Sequence, residues 1–255
     1  MQIDFEKLRL ELIGSKIPRP LSGTLSGHAA GEPFDKFVYG ILKAEFPENV
    51  YRQYEYLNEL FSNHPHLTSY ESRANLIPSK ALRTVILRGK KATQDWNLNN
   101  LFEEKQDDTA DIIIKNENEF ILLDIKTRNL SKSAQAPNII SSKKLAFLVR
   151  DLLVEKMTDS IQIKYIEIDW ILEGDSLVCK EVFIADLFKE KPENLYINWA
   201  AAMQLQFHVS NLEQDFSGTN KEWCLEYLKK FALSAKKRSN DMIEQYVKPF
   251  ELFFD

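Results

Sequence analysis

Asp111-Ile112-Ile113-Ile114-Lys115-Asn116-Glu117-Asn118-Glu119-Phe120-Ile121-Leu122-Leu123-Asp124-Ile125-Lys126 is the stretch on which the fold turns. Two apolar runs flank a polar turn at Asn116-Glu117-Asn118, the pattern of an antiparallel hairpin. With Glu117 and Asn118 in the turn, Asp111 falls directly opposite Asp124, and such pairs share a sheet face with Cβ atoms roughly 4.5–5.5 Å apart. Strand alternation puts Lys126 on the same face, one step beyond Asp124. Two carboxylates and an ammonium therefore converge. Opposed like charges destabilise a ladder unless something neutralises them. A hard divalent cation does so, and Mg2+ takes one or two carboxylates together with waters and a phosphate. Such an ion polarises a phosphate and acidifies a bound water; Lys126 can orient that water and offset charge at the phosphorus. The bare triplet is not specific, since Glu103-Glu104-Lys105 also fits it, but only Asp124-Ile125-Lys126 ends an apolar strand. The alternative is a surface hairpin with Asp124 and Lys126 merely solvated.

Working outward, residues 162–172 and 177–185 form a second hairpin around Glu173-Gly174-Asp175. Periodicity predicts a helix over 33–46, with Phe34, Phe37, Val38, Ile41 and Leu42 on one face and Pro33 in its first turn. It predicts another over 139–156, one around Trp223, Tyr227, Leu228 and Phe231, and a separate last one around Met242, Ile243, Tyr246, Val247 and Phe250. Central strands with helices before, between and after imply an α/β fold, a central mixed β-sheet flanked by helices. No linker separates halves, so 1–255 reads as a single domain. Before Pro33, the loop Ser22-Gly23-Thr24-Leu25-Ser26-Gly27-His28-Ala29-Ala30-Gly31 holds three of the eight glycines but lacks the Gly-Lys-Ser/Thr ending of a P-loop. It is either a backbone approach to a phosphate or a plain helix entry.

Composition supports an ordered globular protein, with 44% apolar and 28% charged residues. The start, Met1-Gln2-Ile3-Asp4-Phe5-Glu6-Lys7, does not read as a secretory signal. The charge-free run 194–212 is too rich in Asn and Gln to span a bilayer, so no membrane partner is expected. Cys179 and Cys224, without a CxxC motif, read as buried thiols, and the expected location is the cytoplasm. His28 and His208 read as packing or hydrogen-bonding groups, and no HxH or HExxH zinc pattern occurs. The net charge of −5 would argue against nucleic acid were it evenly spread. Instead, residues 73–94, 125–150 and 228–240 carry cations and no acid, while 103–119 carries seven acids and two lysines. That distribution predicts a cationic surface beside a metal site.

Asp111, twelve residues, then Asp124-Ile125-Lys126 resembles the motif of the PD-(D/E)xK nucleases, although Ala110 stands where the motif often has Pro. Further segments resemble one family of type II restriction endonucleases within that superfamily. They are the loop 22–34, Gln53-Tyr54-Glu55-Tyr56-Leu57-Asn58, Asn100-Leu101-Phe102-Glu103-Glu104-Lys105-Gln106, 122–129, 131–141 and Leu195-Tyr196-Ile197-Asn198-Trp199-Ala200-Ala201-Ala202-Met203-Gln204. The likeness spans nearly the whole chain and is poor at roughly 1–21, 59–87 and 143–165. It implies a restriction-endonuclease-like fold and a homodimer that cuts double-stranded DNA at a short palindrome resembling GTYRAC. It also implies blunt ends and work beside a cognate DNA methyltransferase. By motif, Asp111 and Asp124 would hold Mg2+, with Lys126 beside the attacking water. Gln135 would press into DNA from the minor-groove side, Asn138 and Asn198 would contact bases, and Lys90 would meet phosphates. Amide side chains suit base edges and groove wedging. The competing readings are loop and helix-cap duty for Gln135 and Asn138, and a core amide for Asn198. A repair or nicking nuclease of the same fold and a non-catalytic DNA-binding module remain the rival functions.

Overall fold

The computed structural model describes residues 3–20, 28–105, 108–133 and 135–254, with backbone only over 28–31. The loop reading at 22–27 and the side chain of His28 lie outside the described residues. The hairpin forms as β3 (Ile112–Asn116) and β4 (Glu119–Asn129), numbered here with two short strands before them, β1 (Lys16–Pro18) and β2 (Val50–Tyr51). Ile112 pairs with Leu123 and Asn116 with Glu119, the register expected from the turn. Glu117 takes the left-handed conformation (φ 53°) that a two-residue hairpin turn demands. The next strand is β5 (Asn138–Ser141); β6 (Ile161–Glu173) and β7 (Ser176–Asp186) make the second hairpin, and β8 (Ile197–Asn198) and β9 (Gln204–Gln206) follow. The large sheet runs β1-β7-β6-β4-β3-β2, with β4 parallel to β6 from Phe120↔Ile161 to Asn129↔Trp170 and its other pairs antiparallel. A second sheet, β5-β9-β8, stands apart from it. The fold is thus a mixed sheet flanked by helices.

The helices are α1 (Phe5–Leu12), α2 (His28–Glu45), α3 (Gln53–Ser62), α4 (Tyr70–Ala74), α5 (Lys80–Ile86), α6 (Lys90–Asp95), α7 (Ser142–Glu155) and α8 (Asn220–Tyr246). They cover both sheet faces. On one, Leu8, Leu12, Phe34, Val38 and Leu42 of α1 and α2 pack on Ile112, Leu123, Ile125 and Ile166. On the other, Leu57, Leu82, Leu148 and Tyr227 from α3, α5, α7 and α8 join the cluster that holds Ile113, Phe120, Leu122, Ile163 and Tyr165. Alternation along β4 thus sends Phe120 and Leu122 to the second core and Leu123 and Ile125 to the first. Cys179 and Cys224 are buried free thiols, pushed by burial up to about 11 and about 12. Among the described residues, no helix is long and apolar enough to cross a membrane.

Three helix expectations are corrected. The first helix begins at His28, so Pro33 lies inside it rather than in its first turn; the two alanines before it extend the helix upstream. The helix expected over 139–156 starts at Ser142, because Ser141 caps it by accepting from the Lys144 N–H and the residues before it form β5, which pairs with β9 through Asn138 and Ser141. The two last helices merge up to Tyr246: nothing between Ala232 and Asp241 breaks the turn, and α8 runs unbroken for 27 residues behind a Thr219–Glu222 capping box, while Val247 caps its end and Phe250 lies in a 3-10 helix beyond it (Lys248–Phe253).

Candidate active site

Beyond Leu122, the second-core face of β4 continues with Asp124, Lys126 and Arg128. Apolar packing ends there and a cleft of about 920 Å³ opens, lined among others by Asp35, Asp108, Asp111, Asp124, Lys126 and Asn138. Asp111 lies one residue before β3, and its Oδ2 accepts the Ile125 N–H at 2.6 Å, so a side chain takes the place of a ladder partner. Asp124 is buried at 7% exposure, and the Lys126 ammonium donates to its Oδ1 at 3.0 Å. Its Oδ2 is buried and ion-pairs with the same Nζ at 2.9 Å. Burial, reinforced by the Asp124 charge, pushes Asp111 up to about 7, against the pull of Lys126 and the Ile125 N–H. Burial also raises Asp124, with Lys126 pulling the other way. The Lys126 ammonium is depressed by burial, but Asp124 and Asp111 outweigh that and hold it above its usual value. Two buried carboxylates that resist ionising together form a site suited to a further cation. Among the described residues, no cluster of three His, Cys, Asp or Glu is available to hold one. Asp111 and Asp124 offer oxygen donors only, the ligand type that hard cations take.

The segment entering Asp111 is held from behind by residues the sequence did not single out for this purpose. Gln53, buried at the start of α3, accepts from the Thr109 N–H (2.9 Å) and the Ala110 N–H (3.1 Å). Its amide nitrogen donates to the Ile86 carbonyl and to Asp108. Ala110 thus supplies an N–H that a proline at this position would lack. Arg52 donates to the Asp111 carbonyl at 3.3 Å and ion-pairs with Asp35 at 2.6 Å. Deeper along the same face, Arg128 pairs with buried Asp169 and stands 3.5 Å from buried Glu167. Glu167 accepts the Val209 N–H at 2.7 Å and so ties the strand beside β4 to the chain leaving β9.

The amide residues form a second constellation. Asn138, exposed, opens β5 and shares the cleft with the carboxylates. Asn198, half-buried on β8, lines a neighbouring groove of about 630 Å³ with Lys230, Lys237 and Arg238. Gln206, which sequence reasoning passed over, stands between them, donating to Asn138 and accepting from Asn198. The alternation of Gln204 and Gln206 was the available signal. Gln135 is exposed on the segment before β5 and is not among the residues lining the cleft. Lys90 is exposed at the start of α6, 3.7 Å from Glu71, and is not among the cleft residues. The turn between β8 and β9 carries Ala202 (φ 52°) and Met203 (φ 59°) in the left-handed region. It is fastened by Ser142, whose N–H and hydroxyl both donate to the Met203 carbonyl, at 2.8 and 2.7 Å.

The charge blocks are only partly surface. Arg73 and Arg88 are buried, Arg73 donating to the Thr93 carbonyl and Arg88 paired with Asp108 at 2.7 Å. The cationic surface expected over 73–94 is thus thinner than the sequence implied, because two of its arginines are buried against neighbouring segments.

Residues 8–254 match the family model described as Restriction endonuclease HincII. The chain is 51% identical over 249 residues to "Type II restriction enzyme HindII" of Haemophilus influenzae strain Rd, covering 98% of this chain and 96% of that one. It is 50% identical, with the same coverage, to "Type II restriction enzyme HincII" of Haemophilus influenzae. Among solved structures, a likeness to NlaIV restriction endonuclease covers 93% of this chain and 86% of that one, at 12% identity and a TM-score of 0.35. On the strength of the family model and the two Haemophilus relatives, this chain belongs to the HincII family of restriction endonucleases.

Proposed function

We propose that Asp111, Asp124 and Lys126 are the catalytic centre of a Mg2+-dependent type II restriction endonuclease. The single observation that carries this reading is the buried carboxylate pair with its lysine at the floor of an open cleft. Asp111 and Asp124, which share the cleft, would hold the ion. When bound, Mg2+ supplies Lewis-acid polarisation of the scissile phosphate and a more acidic water. Lys126, a charged donor beside Asp124, orients the attacking water and offsets the negative charge that grows on the phosphoryl oxygens. Ile125 and Arg52 fix the two ends of Asp111, so the carboxylate is in place before substrate arrives.

The substrate of this reading is double-stranded DNA at a short palindrome resembling GTYRAC, cut to blunt ends, with Asn138 and Asn198 reading bases. Gln135 presses in from the minor-groove side and Lys90 meets phosphates. Cutting both strands of a palindrome takes two copies of a single-centre chain related by a two-fold axis, which supports a homodimer of 255-residue single domains. The exposed apolar residues after α8, among them Phe250, Phe253 and Phe254, support an interface between copies. The setting is the cytoplasm, beside a cognate methyltransferase. The test is digestion of a long DNA of known sequence with and without Mg2+, followed by sequencing of the ends. Blunt ends at one palindrome, only with the ion, are expected. Cuts without a common site would favour a repair or nicking nuclease, and binding without cuts a DNA-binding module.

A further inference from the structure

The small sheet holds a chain of amides whose direction is set from one end. Asn198 Oδ1 accepts the backbone N–H groups of Ala200 (3.0 Å) and Ala201 (3.1 Å). A backbone N–H can only donate, so the oxygen of Asn198 must lie there and its Nδ2 on the opposite side. That nitrogen donates to Gln206 Oε1 at 2.8 Å. With its oxygen committed to Asn198, Gln206 turns Nε2 the other way, and Nε2 donates to Asn138 Oδ1 at 2.7 Å. Two backbone amides in the β8–β9 turn thus dictate the orientation of a side chain two strands away, in the cleft of Asp111 and Asp124. Register permits it: Asn138 pairs with Gln206, and Gln206 is the diagonal neighbour of Asn198, whose own partner is Gln204.

We propose that Gln206 is a positioning residue that sets Asn138 and Asn198 as hydrogen-bond donors toward the DNA, so that both seek acceptor atoms rather than the paired donor and acceptor of adenine. The inference rests on the DNA-endonuclease reading above. Asn138 Nδ2 has no partner among the described residues and is exposed in the cleft, while its oxygen faces Gln206. The Asn198 oxygen already accepts twice, and its nitrogen keeps one N–H beyond the bond to Gln206. A bidentate contact to adenine needs a free oxygen beside a free N–H, and neither residue offers that pair. The acceptors available on DNA are base-edge atoms (purine N7, guanine O6, thymine O4, adenine N3) and phosphate oxygens.

The test is single-turnover cleavage of duplexes carrying one acceptor-deleted group at a time. The probes are 7-deazapurines, 2-aminopurine in place of guanine, 5-methyl-2-pyrimidinone in place of thymine, 3-deazaadenine, and methylphosphonates at each phosphate. The position read by Asn138 is the one to which Asn138→Ala becomes insensitive. There the wild type should lose about tenfold in rate, the order of one base contact. The base and phosphate arms identify which acceptor is used. Gln206→Glu offers only acceptors, so Asn138 must turn its nitrogen inward and its oxygen outward. The sensitivity at that position should vanish while the positions dependent on Asn198 keep theirs. Asn138→Asp, with Gln206 intact, should lose the same sensitivity and covers the case in which the Gln206 variant does not fold. A purely structural role for Gln206 would slow every duplex alike. An unchanged sensitivity profile in both variants overturns the inference while leaving the endonuclease reading standing; a wild-type protein that cuts no duplex overturns both.

Discussion

Ala110 shows how one residue departs from a motif and is compensated. Its N–H feeds Gln53, which holds the chain entering Asp111. Ala110→Pro removes that donor but leaves the Thr109 N–H on the same oxygen, so the loss should be about 1 kcal/mol, or about 2–4 °C in melting temperature. A neutral or stabilising Ala110→Pro, measured by thermal melting, would contradict the assignment. Asp111 gives a pH signature. Its folded-state value of about 7 stands above the ordinary 3.8. Its contribution to stability is therefore fully present below about pH 4 and is lost as pH rises to about 7. In chelator, Asp111→Asn should melt near the wild-type temperature at about pH 4 and above it at about pH 8. A difference that does not change with pH would sink this. At this scale the sequence was legible where a short turn fixes a register, which placed Asp111 against Asp124. Gln53 was not, since its partners lie 33 or more positions away and no local pattern marks them.

Elements were legible in type and less so in extent. The hairpins at 111–125 and 162–185 follow from alternation broken by polar turns, whereas the start of α7 is hidden because Ile139 and Ile140 suit a helix face as well as a strand. Pairing with β9 decides between them, and that partner is remote in sequence. The break expected before Met242 rested on two clusters of apolar residues; absent Gly or Pro, the backbone simply continues. The β8–β9 turn was legible only as a likeness. Its left-handed Ala202 costs about 1–2 kcal/mol relative to a residue without Cβ. Ala202→Gly relieves that strain but loosens the unfolded chain, so a net gain of about 0.5–1 kcal/mol is expected. Denaturant melts read it directly, and destabilisation would mean the turn is not as described.

Across the whole molecule, charge was the least legible property, because an acid-free run does not say which of its cations are interior. Arg73 braces α6 and Arg88 pairs with Asp108, leaving Lys80, Lys90 and Lys91 as the exposed cations of the 73–94 block. DNA affinity should still fall with salt, by about 0.9 log unit per log unit of salt for each phosphate neutralised. Lys90→Ala should reduce that slope by roughly one contact and weaken all sequences alike; a titration with an unaltered slope would remove Lys90 from the interface. The central claim, that Asp111, Asp124 and Lys126 do the cutting, is tested most directly by single-turnover cleavage of a cognate duplex with Lys126→Ala, with melting temperature as the control. Lys126 is partly exposed, and among the described residues its ammonium bonds only Asp124. The variant should therefore stay folded while its cleavage rate falls by orders of magnitude; a folded variant cutting at a near-normal rate would contradict the account.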